Sequence, residues 1–142
     1  SARGDILIVC LYVDDLIFIG NNSEMVAKFR EAMIKQFEIT DMGFMSYFLG
    51  IEVFQSDSGI FMSQNKHAGD ILKKFKMDAT KPVVTPVEEI LRLTKEGSGG
   101  YANPTYFKSL VGSLRYLTST RPDINFAVGL ISRFIENPLQ SH

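Results

Sequence analysis

Two nearly unbroken apolar runs, Ile6 to Val13 and Leu16 to Ile19, flank the adjacent carboxylates Asp14 and Asp15. Their β-branched and aromatic content predicts a strand over Asp5 to Val13, a turn at the Asp pair, and a returning strand over Leu16 to Gly20. Neither arm alternates apolar with polar positions, which predicts a hairpin buried on both faces. Asn22 and Ser23 then supply helix-capping chemistry. Met25, Phe29, Met33 and Phe37 recur every four residues with Glu31 and Lys35 on the opposite side, so a helix is expected from about Ser23 to Phe37.

A second hairpin is expected with Met45 to Gln55 as its first arm, "SDSG" as its turn and Ile60 to Ser63 as its return. Gly50 falls inside the first arm, where glycine marks either a bulge or a close approach by another backbone. Lys66 to Phe75 reads as a helix with Ala68, Ile71, Leu72 and Phe75 on one stripe. Residues 81–104 hold three of the five prolines and the Gly97, Gly99, Gly100 cluster, the composition of an extended linker. Beyond it, Thr105 to about Ser119 predicts a helix, Arg121, Pro122 and Asp123 a break held by capping, and Ile124 to Ile135 a last helix.

The 142 residues, 45% hydrophobic, are enough for one domain with a core. Net charge is -1, which argues against nucleic-acid binding by bulk charge, but the charge is uneven. Residues 1–100 carry 11 Lys and Arg against 14 Asp and Glu, and residues 101–142 carry 4 against 2, so the tail is basic. No run reaches the roughly 20 apolar residues of a membrane span, and no secretory signal pattern opens the chain, so an intracellular protein, cytoplasmic or nuclear, is expected. The lone Cys10 excludes a disulfide framework, and His67 and His142 have no partners at metal-ligand spacing.

Asp is a common turn residue, and that alone can account for the pair. Yet Asp-Asp suits the favoured two-residue turns poorly, and two like charges side by side call for a cation. Mg²⁺ is held by one or two carboxylates plus substrate phosphates, so a hairpin tip offering Asp14 and Asp15 suits phosphoryl transfer. On the helix expected from Thr105, Phe107, Leu110, Val111, Leu114 and Leu117 form an apolar stripe, while Lys108, Gly112, Arg115, Tyr116 and Ser119 recur on another side. Gly112 costs roughly 1 kcal/mol against Ala in a helix, so either a ligand or a packed helix needs to come close there.

"LYVDD" between apolar strands resembles the Tyr-x-Asp-Asp box of reverse transcriptases, with Tyr12, Val13, Asp14 and Asp15 in its four places. "MSYFLGIEV" followed by "SGIFMSQ" is similar to the primer-grip hairpin of the polymerase palm, and "PTYFKSLVGSLRYLTSTRPDINFAVGLISRF" to the paired thumb helices. "YFLGIEV", "LVGSLRYL" and "TRPDI" match the copia type of long-terminal-repeat retrotransposon best. The resemblance covers nearly the whole chain and implies an α+β fold: the C-terminal half of a palm over 1–80, with two antiparallel hairpins and packed helices, a linker over 81–104, and a small helical thumb over 105–142. It implies an RNA-directed DNA polymerase in which Asp14 and Asp15 are catalytic metal ligands for Mg²⁺. Leu49, Gly50 and Ile51 would support the primer end. Lys108, Gly112, Arg115 and Tyr116 would follow an RNA/DNA template-primer duplex, with a deoxynucleoside triphosphate as substrate.

The family's third carboxylate, on an earlier palm strand, has no counterpart here, because only Asp5 lies upstream and it belongs to the hairpin itself. The fingers have no counterpart either. Mg²⁺ binding is therefore expected to be weak and polymerase activity by this chain alone absent. The long apolar edge of Ile6 to Val13 is expected to self-associate or meet a protein partner. The alternative is a domesticated retrotransposon remnant acting as a protein- or nucleic-acid-binding module.

Overall fold

The computed structural model describes residues 4–88, 93–97 and 99–142. The chain forms two compact units, one up to Phe44 and the other from Met45 to His142.

In the first unit β1 (Leu7–Tyr12) and β2 (Asp15–Gly20) pair antiparallel, with Leu7 opposite Gly20 and Tyr12 opposite Asp15. Helix α1 (Ser23–Gln36) follows at once, and Asn22 caps it by accepting from the Glu24 and Met25 amides at 2.9 and 3.2 Å. The Asn22 amide also donates to Asp5 Oδ2 at 2.8 Å, while Asn21 Oδ1 accepts from the Ile6 amide at 2.7 Å, so two consecutive asparagines clasp the base of the hairpin to the helix start. Phe18 meets Phe29 edge-on at 5.2 Å between centroids, and a Cβ on Gly20 would lie 2.8 Å from Val26. By strand alternation, α1 therefore packs on the face that carries Leu7, Leu16 and Phe18, leaving Leu11 near the tip of that face 72% exposed. The opposite face is open: Ile8 is 61% exposed, Ile19 54%, and no side chain of α1 is fully buried. This corrects the expectation of a doubly buried hairpin, since one helix can cover only one face. The ion pair along α1 joins Glu24 to Lys28 at 2.7 Å, and none joins Glu31 to Lys35 among the described residues.

In the second unit the expected hairpin is a three-stranded antiparallel sheet of β3 (Tyr47–Phe48), β4 (Ile51–Ser56) and β5 (Gly59–Ser63). Helix α2 (Asn65–Lys74) and helix α3 (Pro104–Leu117) share a core of Ile71, Phe75 and Leu117, against which Ala68, Leu110 and Ile124 pack. Leu72, read as part of that stripe, is 45% exposed. Polar contacts run along the pair from Gln64 Oε1, accepting from Thr120 Oγ1 at 2.8 Å, to Lys74 Nζ, donating to Ser109 Oγ at 2.7 Å. The two helices are thus antiparallel. A 3₁₀ turn at Pro122–Ile124 precedes α4 (Asn125–Ser132), shorter than the helix expected to Ile135. Arg121 and Asp123 pair with each other across Pro122 at 2.8 and 2.6 Å, and Arg121 makes no side-chain cap. Residues 89–92 and 98 of the expected linker lie outside the described residues. Its end is fastened to the C-terminal residues: Tyr101 bridges Leu139, the Ala102 amide donates to the Pro138 carbonyl at 2.9 Å, and Pro138 is fully buried. Among the described residues, no helix is long and apolar enough to cross a membrane.

Candidate functional site

The reversal at the hairpin tip is one residue earlier than the Asp pair suggests. Tyr12 pairs with Asp15, so the two turn residues are Val13 and Asp14, and Asp15 opens β2. Val13 takes φ 51, a left-handed conformation that is rare and strained for a β-branched residue. Positive φ at the first central position alone is the pattern of a type II′ turn, in which glycine usually stands. Both carboxylates are exposed, and neither has a side-chain partner among the described residues. Their mutual repulsion is then screened by water to roughly 1 kcal/mol at 4 Å, so a bound cation is not needed to keep the fold. By alternation Asp15 shares a face with Ile17 and Ile19, the face that α1 leaves open.

Two adjacent carboxylates with free oxygens fit an ion that takes its remaining ligands from water and phosphate. No group of three His, Cys, Asp or Glu among the described residues could enclose a metal. Asp5 cannot complete the set, because seven residues of extended chain put it roughly 23 Å from Tyr12, where Asn22 already holds it.

Gly50 is not within a strand. Phe48 pairs with Ile51, and Leu49 and Gly50 are the two residues of a tight turn with φ 46 and φ 82. Positive φ at both central positions is the type I′ pattern, and Gly50 is there for that reason. What comes close to Gly50 is a side chain and not another backbone: a Cβ at residue 50 would stand 2.9 Å from Tyr116 Oη. Leu49 is 49% exposed and Ile51 partly buried, so the turn offers an apolar knob to solvent.

Asn103 caps α3 by accepting from the Thr105 and Tyr106 amides at 3.0 and 3.1 Å, with Pro104 in the first turn. Phe107, Val111 and Leu117 are buried as the stripe predicts, with Leu110 and Leu114 partly so. Lys108, Gly112, Arg115 and Ser119 are exposed along another face. A Cβ at Gly112 would meet no atom within 4 Å, so no helix among the described residues packs there and the gap leaves room for a ligand. Neither Lys108 nor Arg115 is ion-paired among the described residues. Arg115 also borders an open groove of about 430 Å³ with Thr118, Asn125, Val128, Gly129 and Ser132. The sequence reading missed the groove, because its far wall is α4 and the crossing of two helices leaves no local signal. Tyr116, 36% exposed, also has its ring engaged within its own unit: it meets His67 edge-on at 4.9 Å and comes close to Gly50. His67, given no chemistry from sequence, is a packing partner.

The sequence profile of the family described as reverse transcriptase (RNA-dependent DNA polymerase) matches residues 1–89. The chain is similar to the retrovirus-related Pol polyprotein from transposon RE2 of Arabidopsis thaliana, 33% identical over 96% of this chain and 9% of that protein. It is 36% identical to the retrovirus-related Pol polyprotein from transposon TNT 1-94 of Nicotiana tabacum, over 99% of this chain and 11% of that protein. An uncharacterized mitochondrial protein of Arabidopsis thaliana is 38% identical over 90% of this chain and 53% of its own length. The chain thus spans about a tenth of either polyprotein and about half of the mitochondrial protein. No solved structure matches it.

Proposed function

Because this chain belongs to the reverse transcriptase (RNA-dependent DNA polymerase) family, as its copia-type transposon relatives also indicate, we propose that it contributes the metal-binding tip and the duplex-holding face to nucleotidyl transfer. The observation that carries this reading is the solvent-facing pair Asp14 and Asp15 at a sharply reversed hairpin tip, inside the span that the family profile matches. Asp14 and Asp15 hold Mg²⁺, which when bound supplies charge neutralisation at the triphosphate and acidifies the attacking hydroxyl. The strained Val13 fixes where Asp14 leaves the ladder. Leu49, Gly50 and Ile51 support the primer end. Lys108 and Arg115 contact backbone phosphates of the RNA/DNA duplex and Gly112 gives room for close approach, while Tyr116, packed against the Gly50 turn and His67, backs that face. In this reading residues 1–80 are palm, 81–104 linker and 105–142 thumb.

With no third carboxylate grouped with Asp14 and Asp15 among the described residues, the chain alone binds Mg²⁺ weakly and performs no synthesis. The open face and edge of β1, with Ile8 61% exposed, favour self-association with a second copy. The reading is tested by titrating ¹⁵N-labelled protein with paramagnetic Mn²⁺. Amides of residues 13–15 broaden first, and Asp14→Asn with Asp15→Asn removes that broadening. Broadening elsewhere first, or unchanged in the double variant, refutes the assignment.

A further inference from the structure

Tyr116 stands on the helix that carries Lys108 and Arg115, but its ring is held between two elements of its own unit. On one side is the Leu49–Gly50 turn: a Cβ at Gly50 would lie 2.9 Å from Tyr116 Oη and 3.4 Å from Cε1, and only the missing side chain admits the ring. On the other is His67, edge-on at 82° with centroids 4.9 Å apart. His67 Nε2 also lies 3.4 Å from the Ser113 carbonyl, one turn before Tyr116 on α3. The start of α2 that presents His67 is anchored to β4 by Glu52, whose carboxylate accepts from Ser63 Oγ at 2.8 Å and from the Lys66 amide at 3.1 Å. Glu52 lies two residues from Gly50 on that strand. The contacts close a ring: turn, β4, Glu52, α2, His67, Tyr116 and the turn again.

We propose that Tyr116 is a positioning residue that, with His67, fixes the Leu49–Gly50 turn relative to Lys108 and Arg115, so that primer end and duplex backbone are gripped at one set separation. This rests on the reading of the turn as primer support. The turn needs such support. It joins β4 to a strand of two residues, and it holds two consecutive residues at positive φ, one of them leucine. Conformations of that kind persist when surrounding contacts over-determine them. A ring with two torsions and a long reach can span from helix to turn where an aliphatic side chain could not.

Two measurements test it. By amide exchange and chemical shift, Tyr116→Leu and His67→Ala shift Leu49, Gly50 and Ile51 and speed their exchange roughly tenfold, while Ile71 and Val111 in the core are unchanged. Tyr116→Phe, which keeps the ring, restores the wild-type turn. Turn amides indifferent to both Tyr116→Leu and His67→Ala overturn the proposal. Secondly, Tyr116→Leu weakens binding to a duplex with a recessed 3′ primer end by about fivefold and leaves a blunt duplex of equal length unaffected. Equal loss on both duplexes means that Tyr116 touches the duplex itself, which also overturns it. Lys108→Ala with Arg115→Ala weakens both duplexes alike. Should wild-type protein bind neither, the reading of the face as a duplex track fails, while the turn amides still decide the positioning role.

Discussion

Val13 is a β-branched residue at φ 51, 78% exposed, in the turn that carries Asp14. The left-handed region costs an L-residue with a Cβ roughly 1–2 kcal/mol, with β-branching toward the upper end. Val13→Gly removes that strain but enlarges the unfolded ensemble at a cost of about 0.5–1 kcal/mol, leaving a net gain of about 0.5–1 kcal/mol. Val13→Asn tolerates the same φ without the full entropic loss, so its gain is about 1 kcal/mol. The lost side chain takes little with it, since most of its surface already meets water. The assay is hydrogen exchange of the β1–β2 ladder amides, which reports local opening of this unit. Opening becomes rarer by a factor of roughly 2–5 in Val13→Gly and by about 5 in Val13→Asn. Relaxing the turn also frees the direction of Asp14, so Mn²⁺ broadening at residues 13–15 weakens while stability rises. Unchanged or faster exchange in both variants would refute the strain argument.

Three further outcomes follow from the same geometry. The Ser63 hydroxyl first, and then the Lys66 amide, hold the Glu52 carboxyl below its ordinary range; a depressed folded value stabilises above the unfolded value and is lost as pH falls through the folded one, so Glu52→Gln flattens the acid limb of urea midpoints measured down to about pH 3. Duplex binding falls with salt, and Lys108→Ala with Arg115→Ala reduces the slope of log K against log salt by about 1.8; an unchanged slope would remove both residues from the phosphate contacts. Sedimentation shows concentration-dependent self-association that Ile8→Lys abolishes, because the charge lies on the open face of β1.

The helices were the most legible part of the sequence, because their signals are local. Asn22 caps α1 where expected, the chain after Pro104 turns helical on cue, and the Phe107, Val111, Leu117 stripe is buried. The two tight turns were misplaced for one shared reason. Propensity puts valine and leucine in strands, yet Val13 and Leu49 both occupy left-handed turn positions, so the Asp pair was shifted out of register and Gly50 was read inside a strand. Burial of the first hairpin was overestimated because apolar content says how much surface a segment prefers to cover, not whether a partner exists to cover it. Of the candidate site, Asp14, Asp15, Lys108, Gly112 and Arg115 lie exposed at the surface. His67, Glu52 and the α4 side of the groove were invisible, since each acts through residues distant in the chain.

The asparagine clasp at the foot of the hairpin carries a chemical vulnerability. Asn22 precedes a serine, and spontaneous deamidation would exchange its Nδ2 for an oxygen. Aspartate caps a helix as well as asparagine does, so α1 would keep its start. The atom facing Asp5 Oδ2 at 2.8 Å, however, would turn from a donor into a second anion. An ageing preparation would therefore part the hairpin from its helix at that end first, with helicity intact and the seam beside Asp5 unzipped.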